Sequence, residues 1–376
     1  MSPIRIAILP GDGIGNEITE PAMAIARTAV ARVGLPALRE DWLPAGAATY
    51  RDTGEALPQA TVQGCRDADA ILLAAMGDPA IRYPDGTEII PQIELRFLLD
   101  LYAGVRPVRS IAGVQGPLAD PRGNALDLVL IRESTEGLFA SIGDIPEKGS
   151  RGEDRATDTQ VITARGVDRV ADFAFRLARQ RKARGHAGQV YSVDKANVFQ
   201  SMAFWRDRFE AVAAHYPDID AQSGYVDAVA MHLVNRPWSF DVMVTENMYG
   251  DILSDLGAAL IGGLGMAPSA DIGDDAAVFQ PCHGSAPDIA GTGRANPTAM
   301  VLSAAMMLDW LSHEKDEPRL ARAGAMIERA VDDAFADGTL VSTERGGTAG
   351  VTEIADAVAK ALDAMADDDP RLPGVS

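Results

Sequence analysis

The chain of 376 residues is long enough for two domains or one large α/β unit, and its 47% hydrophobic and 23% charged content is that of a soluble protein with an extensive core. A formal net charge of −20 and a pI near 4.6 repel nucleic acid and anionic membranes, so neither is expected as a partner; an acidic metabolite would need a local cluster of arginines to overcome the same field. Two cysteines, Cys65 and Cys282, support neither a disulfide framework nor a zinc knuckle, and no stretch reads as a signal peptide or membrane span, so a reducing cytoplasm is the expected compartment.

The first elements are a strand, IRIAILP, a loop, GDGIGNE, and a helix running to about Val33. AILLAAMG (70–77) reads as a strand closed by a glycine turn, and LDLVLIRE (126–133), QVYSVDK (189–195) and SFDVMVTEN (239–247) read as buried strands ending at charged residues, with helices over 166–184 and 198–214. Strands alternating with helices predict an α/β protein with a largely parallel sheet, whose functional residues gather where strands end and helices begin. Residues 143–165 are polar apart from TQVIT, and suit either a surface loop or an arm that pairs with another subunit. The last ten residues, DDDPRLPGVS, are expected to fray.

Several segments carry candidate chemistry. GDGIG (11–15) is not a dinucleotide fingerprint, because Asn16 occupies the third glycine position; it reads first as a plain strand-to-helix turn, although its backbone leaves room for a cofactor. Arg96, Arg106 and Arg132 each lie among apolar residues. Singly, each suits a structural ion pair; together, they suit a ligand with two carboxylates gripped by bidentate forks. Lys195, at a strand end, is a candidate base. Asp251 and Asp255, in YGDILSDLGAALIGGLG (249–265), share one helical face and would repel unless a cation lay between them. With Asp227 they make a three-carboxylate set suited to Mg²⁺ or Mn²⁺ rather than zinc. His232 is off the Asp227 face and expected to be structural, and adjacent Cys282 and His283 would point oppositely on a strand. HGSAPDIAGTGRANP (283–297) is either an ordinary connection or a fixed loop whose Asp288 accepts from ribose hydroxyls.

LPGDGIG, the three arginines, RESTEGLF, YSVDKANV, YVDAVAMHLV, YGDILSD and HGSAPDIAGTGRANP follow one another in this order. In that order, from about residue 4 to about 355, the chain resembles the β-decarboxylating dehydrogenases, the family of isopropylmalate, isocitrate, homoisocitrate and tartrate/D-malate dehydrogenases; NMYGDILSD and HGSAPDIAG are its most specific motifs. The resemblance implies a two-domain isopropylmalate-dehydrogenase-like α/β fold with parallel and mixed sheets. One domain would comprise 1–104 and 263–376, the other 105–262, with the active-site cleft between them and 143–165 as the interlocking arm of a homodimer. It further implies that Lys195 and Asp227 enter the site from the neighbouring subunit, and that Asp227, Asp251 and Asp255 hold Mg²⁺ or Mn²⁺. Arg96, Arg106 and Arg132 would bind a small dicarboxylate or tricarboxylate, with Gln92, Ile93 and Phe139 shaping the site. Ile14, His283, Gly284, Ser285, Ala286, Asp288, Ile289 and Asn296 would bind the cofactor; an acid and an isoleucine at 288 and 289, where NADP-using members carry basic or aromatic residues, imply NAD.

The implied reaction is oxidative decarboxylation of a malate-type (2R)-2-hydroxy-3-carboxy acid, with Lys195 accepting the hydroxyl proton. Two departures stand out. Phe139 replaces the family's usual tyrosine and cannot donate a proton. Gln92 and Ile93 stand where isopropylmalate enzymes have two leucines, and Ile90 and Gln92 where isocitrate enzymes have Ser and Asn. Isopropylmalate-like and D-malate/tartrate-like substrates are therefore both expected candidates, with isocitrate or homoisocitrate as the alternative. A non-catalytic subunit or metabolite sensor on the same fold is a further alternative, and no P-loop supports a phosphate-handling protein.

Overall fold

Short aliphatic runs closed by glycine or a charged residue form the strands, and helices with one apolar stripe cover them. A computed structural model describes residues 3–142, 149–366 and 368–374. Its strands are β1 (Arg5–Gly11), β2 (Arg39–Trp42), β3 (Ala70–Ala75), β4 (Ala103–Arg109), β5 (Asp127–Glu133), β6 (Ser150–Arg151), β7 (Ala156–Thr157), β8 (Gln189–Asp194), β9 (Asp220–Tyr225), β10 (Val242–Thr245), β11 (Pro268–Ile272) and β12 (Ala277–Pro281). Its α-helices are α1 (Gly15–Arg32), α2 (Ala47–Thr53), α3 (Gln59–Asp67), α4 (Pro91–Leu98), α5 (Ala164–Ala183), α6 (Gln200–Ala213), α7 (Val226–Asn235), α8 (Asn247–Leu260), α9 (Thr298–Glu314), α10 (Pro318–Phe335) and α11 (Val351–Ala364).

Ten strands make one sheet in the order β2-β1-β3-β12-β11-β4-β5-β10-β8-β9. Strands from the two ends of the chain fill one half, and strands from its middle fill the other. β4 sits at the seam, paired with β11 on one side and β5 on the other, so the expected 104/105 boundary falls within a strand of a continuous sheet. The sheet is mixed and, as expected, largely parallel: β4–β5, β4–β11 and β11–β12 are antiparallel, the other six pairings parallel. β4 escapes a sequence reading because Pro107 interrupts it. The strand tolerates this proline because β11 pairs only with Ala103, Gly104 and Val105, leaving Pro107 beyond the ladder on that side.

Each half has its own cover. Helix α5 buries Val167, Val170, Ala171, Ala174, Phe175 and Ala178, the spacing of a single helical face. It starts two residues before the expected 166 because the Thr163 hydroxyl caps it, accepting from the Gly166 amide at 3.1 Å. Phe175 stacks on Phe209 and Tyr216 at 5.4 and 4.9 Å, and Trp205 Nε1 donates to Ser192 Oγ at 3.0 Å, locking α6 onto β8. In the other half, α9 is apolar nearly all round and is buried among the sheet, α1 and α10.

Residues 143–148 of the expected arm lie outside the described residues. The remainder of the arm contains a short exposed hairpin, β6–β7, and a bridge between Val161 and Gly137. The expected frayed tail is corrected: within 368–374, Leu372 is buried in the main core and the Pro373 carbonyl accepts from Arg322 at 2.7 Å, so one apolar residue anchors a polar segment; residues 367, 375 and 376 lie outside the described ones. No helix among the described residues is long and apolar enough to cross a membrane.

Phe175→Ala removes a fully buried ring from the α5–α6 stack, and should lower stability by about 3–5 kcal/mol in urea unfolding.

Candidate active site

The centre of the sheet is where its direction changes: β3 and β12 run opposite to β5 and β10, with the antiparallel strands β4 and β11 between them. A cavity of about 320 Å³ lies there, lined among others by Gln92, Ile93, Arg96, Arg106, Arg132, Phe139, Asp251, Asp255, His283 and Gly284. The three arginines from α4, β4 and β5 thus converge, each less than a tenth exposed. Buried guanidiniums need partners, and the structure supplies them. Asp271, on β11 beneath the cavity, accepts from Arg96 Nη2 and Arg106 Nη2, both at 3.1 Å, and from Gln280 Nε2 at 2.7 Å. Arg106 Nη1 also donates to the Ala270 carbonyl at 2.9 Å. Burial alone would raise the Asp271 pKa, but Arg96, Arg106 and Arg132 hold it down at about 2. The single-residue reading holds, since each of these arginines makes an ion pair, and the three also face one cavity.

Arg132 takes a different set. Its Nε and Nη2 donate to Asn247 Oδ1 at 2.9 and 2.6 Å, Nη1 donates to Asp251, and the guanidinium lies 4.9 Å from the Phe139 ring centroid. Burial, and the like charges of Arg96 and Arg106, lower its pKa to about 10, which leaves it charged at neutral pH. Glycine at 250 makes this contact possible, since a Cβ there would lie 2.7 Å from the Arg132 side chain. Glu246, buried at the start of α8, accepts from the Met248 and Tyr249 amides at 3.1 and 2.7 Å and fixes that helix over β5.

Helix α8 buries one face and exposes the other, and Asp251 and Asp255 lie on the exposed side. The Asp255 pKa is raised by partial burial and by Asp251, as like charges one turn apart require. Asp227 does not join them within one chain. It opens α7 and accepts from Lys195 Nζ at 2.5 Å, outside the cavity. Among the described residues, no three metal-ligating side chains gather within the single chain. His232 bonds Arg236 at 3.0 Å, in keeping with a structural role.

The two glycine-rich loops are joined. The Ile14 amide donates to the Ser285 carbonyl at 2.8 Å, and Ser285 Oγ donates to the Gly77 carbonyl at 2.5 Å. Gly13, at φ +54°, allows this approach; a Cβ would meet the Ser285 carbonyl oxygen at 2.1 Å. Buried Asp12 accepts from the Ala47, Ala48 and Gly77 amides at 2.7–2.9 Å, and Glu17 accepts from the Gly291 and Gly293 amides. Asp288 is exposed on the second loop, Ile289 is half-buried, and Ala286 sits at φ +39°. Asn296 is buried and bonded to Thr298 and Glu344, so its side chain holds the loop base. Burial lowers the His283 pKa, and among the described residues His283 Nε2, Gln92 Oε1 and Arg96 Nε are buried without a partner at this cavity.

Sequence reading missed Asp271, Asp12, Glu17 and Glu344. The only signal for Asp271 was a lone acid in the apolar run PSADI, the same signal that singled out Asp227.

A cavity lined by three guanidiniums over the centre of an α/β sheet, beside a pair of joined glycine-rich loops, has the form of an α/β dehydrogenase of small carboxylic acids. The chain belongs to the isocitrate/isopropylmalate dehydrogenase family, whose sequence profile matches residues 5–358. It is 39% identical to the 3-isopropylmalate/3-methylmalate dehydrogenase of Methanocaldococcus jannaschii, over 95% of this chain and 98% of that protein. It is 40% identical to the 3-isopropylmalate dehydrogenase of Heyndrickxia coagulans, over 89% of each. The crystal structure of isocitrate dehydrogenase from Methylococcus capsulatus superimposes with a TM-score of 0.81 at 35% identity, covering 96% of this chain and 99% of that one.

Glu133 supplies a pH test. It is buried, accepting from the Thr135 amide and hydroxyl and the Glu136 amide, and desolvation pushes its pKa up to about 7 despite those bonds. Because the folded value lies above the unfolded one, its contribution is complete below about pH 4.5 and declines as pH rises towards 7. Glu133→Gln should flatten the fall in stability over that window, by on the order of 2–3 kcal/mol relative to wild type in denaturation at pH 5 and 7.5.

Proposed function

We propose that this protein is an NAD- and divalent-metal-dependent β-decarboxylating dehydrogenase of a malate-type (2R)-2-hydroxy-3-carboxy acid, acting in the cytoplasm as a homodimer with shared active sites. The observation that carries the proposal is the division of the chemistry: Arg96, Arg106, Arg132, Asp251 and Asp255 line one cavity, while Lys195 and Asp227 sit outside it.

A second copy reconciles the two sets. Asp227, Met231 and Val234 form an exposed stripe on α7, and Met248, Ile252 and Asp255 a second one on α8. Met231 is 52% exposed and Ile252 59%, and apolar side chains so placed on adjacent helices support a protein interface there. Covering these stripes would bring the neighbour's Lys195 and Asp227 towards Asp251 and Asp255.

The donors fit a hard cation. Two carboxylates on one exposed helical face repel each other, and oxygen-only ligands suit Mg²⁺ or Mn²⁺. When bound, the divalent ion would polarise the C2 oxygen and the nicotinamide coenzyme would accept the C2 hydride. The arginine forks bind and orient the substrate carboxylates. Lys195 accepts the C2 hydroxyl proton. Phe139 packs against Arg132 and supplies no proton, so protonation at C3 after loss of CO₂ falls to Lys195 or water. Exposed Asp288 accepts from a free ribose diol and repels a 2′-phosphate, which favours NAD over NADP.

The decisive assay is NADH formation with Mn²⁺ across (R)-malate derivatives, with CO₂ measured in parallel. Lys195→Ala and Asp251→Asn should each be inactive, and an equal mixture, dissociated and reassembled, should recover about one quarter of wild-type activity, because each mixed dimer holds one intact site. A mixture as inactive as its parents would place both residues in one chain's site and end the shared-site reading. Ligand binding without turnover would make the protein a sensor. Asp288→Lys should raise the KM for NAD at least about tenfold, and unchanged NAD kinetics would overturn the cofactor assignment.

A further inference from the structure

The cavity has a charge balance that its chemistry must respect. Arg96, Arg106 and Arg132 bring three positive charges to its wall. Asp271, 2% exposed and beneath that wall, cancels one of them through its two 3.1 Å bonds to Arg96 and Arg106. Lys195 and Asp227 neutralise each other at 2.5 Å, and Asp251 and Asp255 match one divalent ion. His283, kept neutral by burial, adds no charge. Three guanidiniums less one buried carboxylate leave two positive charges for the ligand. Around Gln92 and Ile93 there is a polar amide and a hydrocarbon, and no cation other than the three arginines lines the cavity among the described residues.

We propose, resting on the function read above, that Asp271 is a positioning and specificity-determining residue that matches the site to a substrate with two carboxylates and sets it against a third. Asp271 ties Arg96 and Arg106 to one carboxylate, one oxygen to each, and among the described residues Arg96 Nε is buried without a partner. It also cancels the charge that a third carboxylate would need. Such a carboxylate enters a poorly solvated wall without a counter-ion, at a cost on the order of tenfold or more in affinity. The substrate is therefore a dicarboxylate whose C3 group is uncharged.

The test compares two ligands of the same shape: isocitrate, and isocitrate with its distal carboxylate replaced by a carboxamide. Binding is measured calorimetrically on the full-length protein in Mg²⁺ buffer. Wild type should bind the carboxamide at least about tenfold more tightly, and in Asp271→Asn the preference should narrow to about threefold or less as an uncompensated guanidinium becomes available. Equal binding of the two ligands by wild type overturns the proposal, and this arm stands even if the variant does not fold. A variant that weakens both ligands alike, with their ratio preserved, also overturns it, because a purely structural role would do that. Failure of wild type to bind these ligands, D-malate or 3-isopropylmalate would instead strike the parent function.

Discussion

One carboxylate in the middle of the sheet holds the arrangement together. Without Asp271, the Arg96 and Arg106 side chains would be buried like charges on neighbouring elements, and their mutual repulsion would drive them apart or out of the core. With it, α4, β4 and β11 are tied at one point, and that point is the floor of the cavity. Under the proposed function, stability and ligand recognition would draw on the same bonds.

The acids on α8 follow the opposite logic. Asp251 leans on Arg132, and Asp255 is left with a raised pKa beside it. A helix that ends one face in acids and continues it in Ile252 and Met248 is incomplete as a surface of a lone chain. Under the proposed function, one neighbouring copy carrying Asp227 and Lys195 would cover the apolar part and help complete a cation site at the acidic part.

How much of this was legible beforehand depends on the chemistry of the residues. Strands such as AILLAA and LDLVLIRE announce themselves because burial on both faces selects aliphatic runs, and Arg132 stands out as a charge at the end of one. The centre of the sheet was harder to read. β4 carries a proline, and β11 and β12 are short, so neither the antiparallel seam nor Asp271 carries a periodic signal. GDGIG pointed to a loop, but Asp12 and Gly13 act on Ala47, Gly77 and Ser285, contacts that no local pattern encodes. The tail looked frayed because its composition is polar, and one leucine was enough to anchor it.

The unbroken ladder through β4 limits how the molecule can flex. Two bodies joined by loose linkers can swing freely, whereas two bodies sharing a hydrogen-bonded strand move only as far as its pleat will bend, because sliding would break register with both β5 and β11. Arg106 and Arg132 stand on the two strands of that seam, so the spacing of their backbones is held by the ladder itself.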